Sequence, residues 1–111
     1  MNYDVILIGN AGLGAGNQQL GGLILANFLR LMGDRESLPE YIILWNEGVT
    51  IAVSGSNWIE HLKRLQDLGV RIILCRTCLE FFGLEAQIGV GEIGNMPQIQ
   101  DIIFSKRILT V

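Results

Sequence analysis

The sequence predicts an α/β protein: a three-layer sandwich built on a mostly parallel sheet of about five strands with helices on both faces. Three observations predict it. Continuous β-branched runs, Val5-Ile6-Leu7-Ile8 foremost, mark strands covered on both sides. Stretches of helical periodicity separate these runs, and a strand–helix alternation of this kind favours right-handed crossovers and parallel pairing. Glycines stand at the junctions, where turns and helix stops need them.

Tyr3 to Gly9 is the first predicted strand and is assigned to the centre of the sheet, because its run is apolar without alternation. Asn10 to Asn17 is a glycine-rich loop. A helix follows over Gln18 to Met32, with Leu20, Leu23, Ile24, Phe28 and Leu31 at helical spacing, and Gly33 ends it at the C′ position. Asp34 to Glu40 is a polar connection containing Pro39. Tyr41 to Trp45 is the second strand, closed by Asn46-Glu47-Gly48, and Val49 to Val53 fits a short helix or a strand equally. Ser54-Gly55-Ser56-Asn57 supplies turn and cap chemistry for a helix over Trp58 to Leu68, whose apolar face is Ile59, Leu62 and Leu65 and whose stop is Gly69. Val70 to Leu74 is the third strong strand. A short helix through Leu79 and Phe82 follows and stops at Gly83, Ile88 to Val90 is a minor strand, Pro97 opens a helix to Phe104, and Arg107 to Thr110 is the last strand.

With 111 residues, half of them hydrophobic, the chain fits one compact domain over residues 1–111. A net charge of −3 provides no basic face, which argues against nucleic acid and anionic membrane as partners. No apolar run approaches the roughly 20 residues of a membrane-spanning helix. The start Met1-Asn2-Tyr3-Asp4 enters a strand pattern without the basic region of a signal peptide, so a cytoplasmic location is expected. So small a domain buries a limited share of its surface, and the surplus of apolar side chains predicts a homo-oligomer.

In an open parallel sheet, ligands bind outside the carboxyl ends of the strands. Three features converge there. They are the loop Gly9 to Asn17 with Gly12 and Gly14, the segment Asn46-Glu47-Gly48, and the two cysteines in Cys75-Arg76-Thr77-Cys78. A strand that stops at a cysteine and runs into a helix places that sulfur near unpaired N–H groups and partial positive charge, which favour a thiolate nucleophile. The glycine loop allows backbone N–H groups to approach an anion, yet it lacks the spacing of a dinucleotide fingerprint and the Lys of a phosphate loop. Glu92 and Asn95 lie in a second glycine-rich turn and either face the cysteines or serve as a loop carboxylate and a helix cap. His61 is the sole histidine and is read as surface decoration. Two cysteines with no clustered histidine do not make a four-ligand zinc site, so neither a metal nor a cofactor is expected. The residues leave three readings of the cysteines open. They are buried fillers, a dithiol redox pair, or a pair in which one thiol carries sulfur as a persulfide while the other modulates or resolves it.

The string Cys75-Arg76-Thr77-Cys78-Leu79-Glu80-Phe81-Phe82-Gly83-Leu84, followed by Val90-Gly91-Glu92-Ile93-Gly94-Asn95-Met96, resembles the DsrE/F-like sulfur-relay family. Within it the string is most similar to the C-terminal domain of the YedF proteins, sulfurtransferase-like proteins of selenium metabolism. Gly12-Leu13-Gly14, Leu20-Gly21 and Asn46-Glu47-Gly48-Val49 extend the likeness over nearly the whole chain. The resemblance implies a flavodoxin-like sandwich, assembly into trimers or hexamers, and a persulfide carried on the cysteine after the third strong strand. Counted back from Gly83, the carrier position falls on Cys75, and Cys78 becomes the accessory thiol. Asn46, Asn95, Arg76, Thr77, Gly12 and Gly14 then shape its pocket. The implied partners are sulfur-donor and acceptor proteins, a TusA-like protein supplied in trans among them. Arg76, Gly94 and Pro97 stand where those proteins usually have Gly, Ser and Tyr. Arg76 either favours a thiolate further or crowds an incoming thiol.

Overall fold

The computed structural model describes residues 3–111, so the Met1-Asn2 start of the chain lies outside the described residues. Its strands are β1 (Val5–Ile8), β2 (Tyr41–Leu44), β3 (Arg71–Cys75), β4 (Glu92–Gly94) and β5 (Ile108–Thr110). They form one sheet in the order β4-β3-β2-β1-β5, with every neighbouring pair parallel. The middle position belongs to β2 rather than to β1, which was expected there. Burial on both faces requires a strand on each side and cover above and below, and β1 obtains this between β2 and β5. Apolar continuity therefore reports two-sided burial and not rank in the sheet.

Four α-helices cross between strands: α1 (Gln18–Met32), α2 (Ile59–Asp67), α3 (Arg76–Phe82) and α4 (Met96–Ile103). The chain steps from β1 to β4 in one direction and α4 then returns it across the sheet to β5, so right-handed crossovers put α4 on the face opposite α1 and α2. The predicted α/β architecture with helices on both faces is therefore the one observed. Helices α1 and α2 pack together. The Trp58 Nε1–H donates to the Gly22 carbonyl at 3.0 Å across that contact, and a Cβ at Gly22 would stand 3.3 Å from the Trp58 ring. Gly33 has a right-handed conformation and not the expected left-handed stop. The Arg64 guanidinium of α2 packs over it, 2.9 Å from where a Cβ would stand, and bonds to Asp34 at 2.7 Å.

Two segments differ from expectation. Ile88 to Val90 is not a strand: Ile88 forms a single antiparallel bridge with Val53, and the edge strand lies four residues on, at Glu92–Gly94. A Glu-Ile-Gly strand has no β signature. It forms because Gly91, at φ +87°, and Gly94 let the backbone come against Ile72 and Ile73. Val90 enters the core instead. The ambiguous stretch after β2 is a 3-10 helix, Asn46–Ala52, which buries Val49, Ile51 and Ala52.

Helix α1 has the predicted boundaries, but its core-facing stripe is Gly21, Leu25, Leu29 and Met32. Leu20, Leu23, Ile24 and Leu31, the predicted face, are exposed, and Phe28 is half-buried. Since α1 is apolar almost all round, spacing alone does not choose between the two stripes. The α2 face of Ile59, Leu62 and Leu65 is buried as predicted. No helix among the described residues is long and apolar enough to cross a membrane.

Candidate functional site at the carboxyl ends of the strands

Strand β3 ends on Cys75, whose residue is both the last of the strand and the N-cap of α3. Ile72, Ile73 and Leu74 bury the strand, and Cys75 continues that burial with 3% of its surface exposed. Leu79 anchors α3 into the core and Gly83 closes the helix in the left-handed conformation, at φ +66°. Cys78 therefore sits one turn along from Cys75 on the same face and is half-buried. Both cysteines are free thiols.

The partner of this pair comes from β2. Trp45 bonds back to the Ile8 carbonyl at 3.2 Å, and the chain then turns through Asn46, the single non-glycine residue with positive φ among those described, at +52°. Asparagine tolerates the left-handed region better than most residues because its short polar side chain bonds locally. The turn aims the Asn46 N–H at Cys78 Sγ, 3.0 Å away. Gly48 follows, packed so closely on the Ile8 carbonyl that a side chain there has no room, which locks the 3-10 helix against β1.

Burial pushes the Cys78 thiol up, and a hydrogen bond with the Cys75 side chain pushes it the same way, while the Asn46 N–H works in the opposite direction. Asn46 N–H thus donates to the Cys78 sulfur, and both cysteines line one cleft. The Cys75 side chain makes no capping bond to α3; the backbone N–H groups that act on the Cys78 sulfur are those of Asn46 in the 3-10 helix and of Cys78 itself in α3.

The two sulfurs line a cleft of about 370 Å³ with Trp45, Asn46, Thr77, Phe81, Phe82 and Met96. None of these side chains is charged. Phe81 and Phe82 stand edge to face at 5.2 Å, and Phe81 is 84% exposed although it is aromatic. Met96 reaches the same cleft from the start of α4. The open, uncharged cleft leaves the half-buried Cys78 reachable, whereas Cys75 is 3% exposed at its edge.

Of the residues singled out in the sequence, Cys75, Cys78, Asn46 and Thr77 meet here. Arg76 is exposed and does not line the cleft. Asn95 does not line it either: its side chain caps α4, accepting from Gln98 N at 3.0 Å, while Gln98 Oε1 accepts from Asn95 N at 2.9 Å. Glu92 turns away to pair with Arg71 at 2.6 Å. Gly12 and Gly14 border a separate cleft of about 390 Å³ that also takes in Glu47, so the start of the 3-10 helix divides the expected single pocket in two. Gly12 is explained by packing, since a Cβ would be 2.9 Å from the Gly21 carbonyl carbon of α1, and Glu47 makes that second cleft a poor place for an anion. His61, on α2, lines neither cleft. The aromatic walls and Met96 were not singled out. Their signals are that Phe81 falls off the buried stripe of its helix and that Phe81, Phe82 and Met96 lie inside the strings that carry the family resemblance.

No curated protein matches the chain in sequence. Among solved structures, the ychN protein of E. coli superposes with a TM-score of 0.71 at 22% identity, covering 98% of this chain and 99% of that one. A protein of unknown function from Methanobacterium thermoautotrophicum gives 0.66 at 18% identity, with 96% of each chain covered. A conserved protein of unknown function from Bacteroides thetaiotaomicron gives 0.64 at 21%, covering 97% and 95%. At such identities the likeness is one of fold. The family assignment comes from the sequence itself, whose residues 5–111, nearly the whole chain, match the model of one family, and that match accords with a sulfur-relay role: this chain belongs to the DsrE/DsrF-like family.

Proposed function

We propose that the protein carries sulfur, or selenium in its place, as a persulfide on Cys75 and passes it to the thiol of a partner protein in the cytoplasm. The observation that carries this reading is the pair of free thiols lining one uncharged cleft at the strand ends. The Cys75 thiolate attacks the outer sulfur of a donor persulfide. A new S–S bond forms on Cys75, the donor's S–S bond breaks, and the donor leaves as a thiolate. An acceptor thiolate then attacks that outer sulfur and restores Cys75, with no net oxidation. Cys78 stands in the same cleft, and the walls of Trp45, Phe81 and Met96 give the incoming partner an apolar seat. Donor and acceptor are sulfur-handling proteins, a TusA-like protein being one such candidate. The exposed stripe of Leu20, Leu23, Ile24 and Leu31 on α1 supports assembly into a trimer or hexamer.

Intact mass spectrometry after incubation with a cysteine desulfurase and cysteine tests the reading. A gain of one sulfur in the wild type or in Cys78→Ser that is absent from Cys75→Ser supports it. Gain on Cys75→Ser but not on Cys78→Ser would move the carrier to Cys78, and no gain in any form would leave a non-catalytic scaffold.

A further inference from the structure

We propose that Cys78 is a resolving thiol: its sulfur attacks Cys75 Sγ, the inner sulfur of the persulfide, forming the Cys75–Cys78 disulfide and expelling the outer sulfur as sulfide. This rests on the carrier reading above and gives the same site a second outcome.

The geometry separates two nucleophiles by the sulfur each can reach. Cys75 is the N-cap of α3 and Cys78 stands three residues on, a spacing that holds side chains about 5–6 Å apart at Cβ on one helix face. A disulfide needs the Cβ atoms about 3.5–4.5 Å apart, so a closing of about 1–2 Å at the start of the helix brings the pair together. Both cysteines line the same cleft, and the Asn46 N–H, 3.0 Å from Cys78 Sγ, fixes that sulfur in place. Cys78 is therefore poised beside the inner sulfur. The outer sulfur, added on the cleft side of a residue that is 3% exposed, extends into the open cleft, where a partner thiol meets it first.

The step balances. The C–S–S–H of Cys75 loses its S–S bond, the Cys75–Cys78 S–S bond forms, and the Cys78 proton leaves with the departing sulfur as hydrogen sulfide. The outer sulfur is reduced to the sulfide level and the two thiols are oxidised to the disulfide. A dithiol reductant, small or protein-borne, returns the disulfide to two thiols by two exchange steps. Burial keeps Cys78 protonated, which slows discharge and gives an acceptor time to take the sulfur. The protein then delivers sulfur when an acceptor is bound and releases sulfide when none is.

The test loads the full chain with sulfur from a cysteine desulfurase, and separately from inorganic polysulfide, removes the donor, and follows intact mass and free sulfide together. The wild type is expected to release one equivalent of sulfide and to become a species two hydrogens lighter than the dithiol. Cys78→Ser and Cys78→Ala are expected to keep the added sulfur at least about tenfold longer. Equal lifetimes in wild type and both variants, or sulfide release without the disulfide, would overturn the proposal while leaving the carrier standing. If neither donor loads Cys75 in the Cys78→Ser or Cys78→Ala protein, the carrier reading fails and the resolving step fails with it.

Discussion

At Cys78 burial first, then the hydrogen bond and the charge of the Cys75 side chain, hold the thiol above its ordinary pKa. The rate of Cys78 alkylation, followed by mass spectrometry, is expected to go on rising with pH beyond the point where an ordinary thiol levels off. In Cys75→Ala the bond is lost and the profile moves to lower pH, though not to the ordinary value, because burial is the larger cause. A profile unmoved by Cys75→Ala would refute the thiol–thiol bond. Asn46 carries the second expectation. Its φ of +52° is a conformation that costs a residue with a Cβ about 1 kcal/mol or more. Asn46→Ala should lower stability by about that amount, and Asn46→Gly, which keeps the N–H and accepts the conformation, by clearly less. Equal losses in denaturant titration would mean that the side chain, not the backbone, is what matters. The cysteines were legible in the sequence because their chemistry is rare in this chain and their place follows from a strand ending. Met96 and Phe81 were not, since nothing local distinguishes a cleft wall from an ordinary exposed apolar residue.

Elements hold the site through close backbone contacts that only glycine permits. Gly48 seats the 3-10 helix on the Ile8 carbonyl, and Gly94 seats β4 where a Cβ would stand 2.6 Å from Ile73 Cγ2. Gly48→Ala is expected to cost about 1–3 kcal/mol and, by lifting Asn46 away from Cys78, to speed alkylation of Cys78 at a fixed pH. Gly94→Ala should cost a similar amount through the β3–β4 pairing without moving Asn46, so alkylation stays near the wild-type rate. The same alkylation rate in both variants would sink the claim that Gly48 positions the site. Strands β1, β2 and β3 were legible because burial on both faces leaves an unbroken apolar run. Strand β4 was not, since an edge strand of three residues is fixed by the neighbour it pairs with rather than by its own side chains. The face of α1 was read the wrong way round for a related reason: a helix apolar on every side offers two stripes, and the choice is made by what packs on it.

The molecule presents most of its exposed large apolar side chains in two places, the α1 stripe and the cleft mouth of Phe81, Phe82 and Met96. Assembly through α1 is the proposal at this scale. Light scattering at micromolar concentration is expected to give a multiple of the chain mass. Leu23→Glu, a change at a 61% exposed position, should lower that mass without altering the circular dichroism. A monomeric wild type, or a variant that assembles unchanged, would contradict it.

By itself the sequence determined the α/β class, the strand–helix order and the cysteine pair at a strand end. These follow from local periodicity and from residue types whose chemistry does not depend on neighbours. The tertiary structure decided the rest. It set the middle strand, turned α1, separated the glycine loop from the cysteine cleft, and brought Asn46 of one crossover onto Cys78 of the next. Each of these depends on contacts between residues far apart along the chain, and no local pattern encodes which partner a surface will meet.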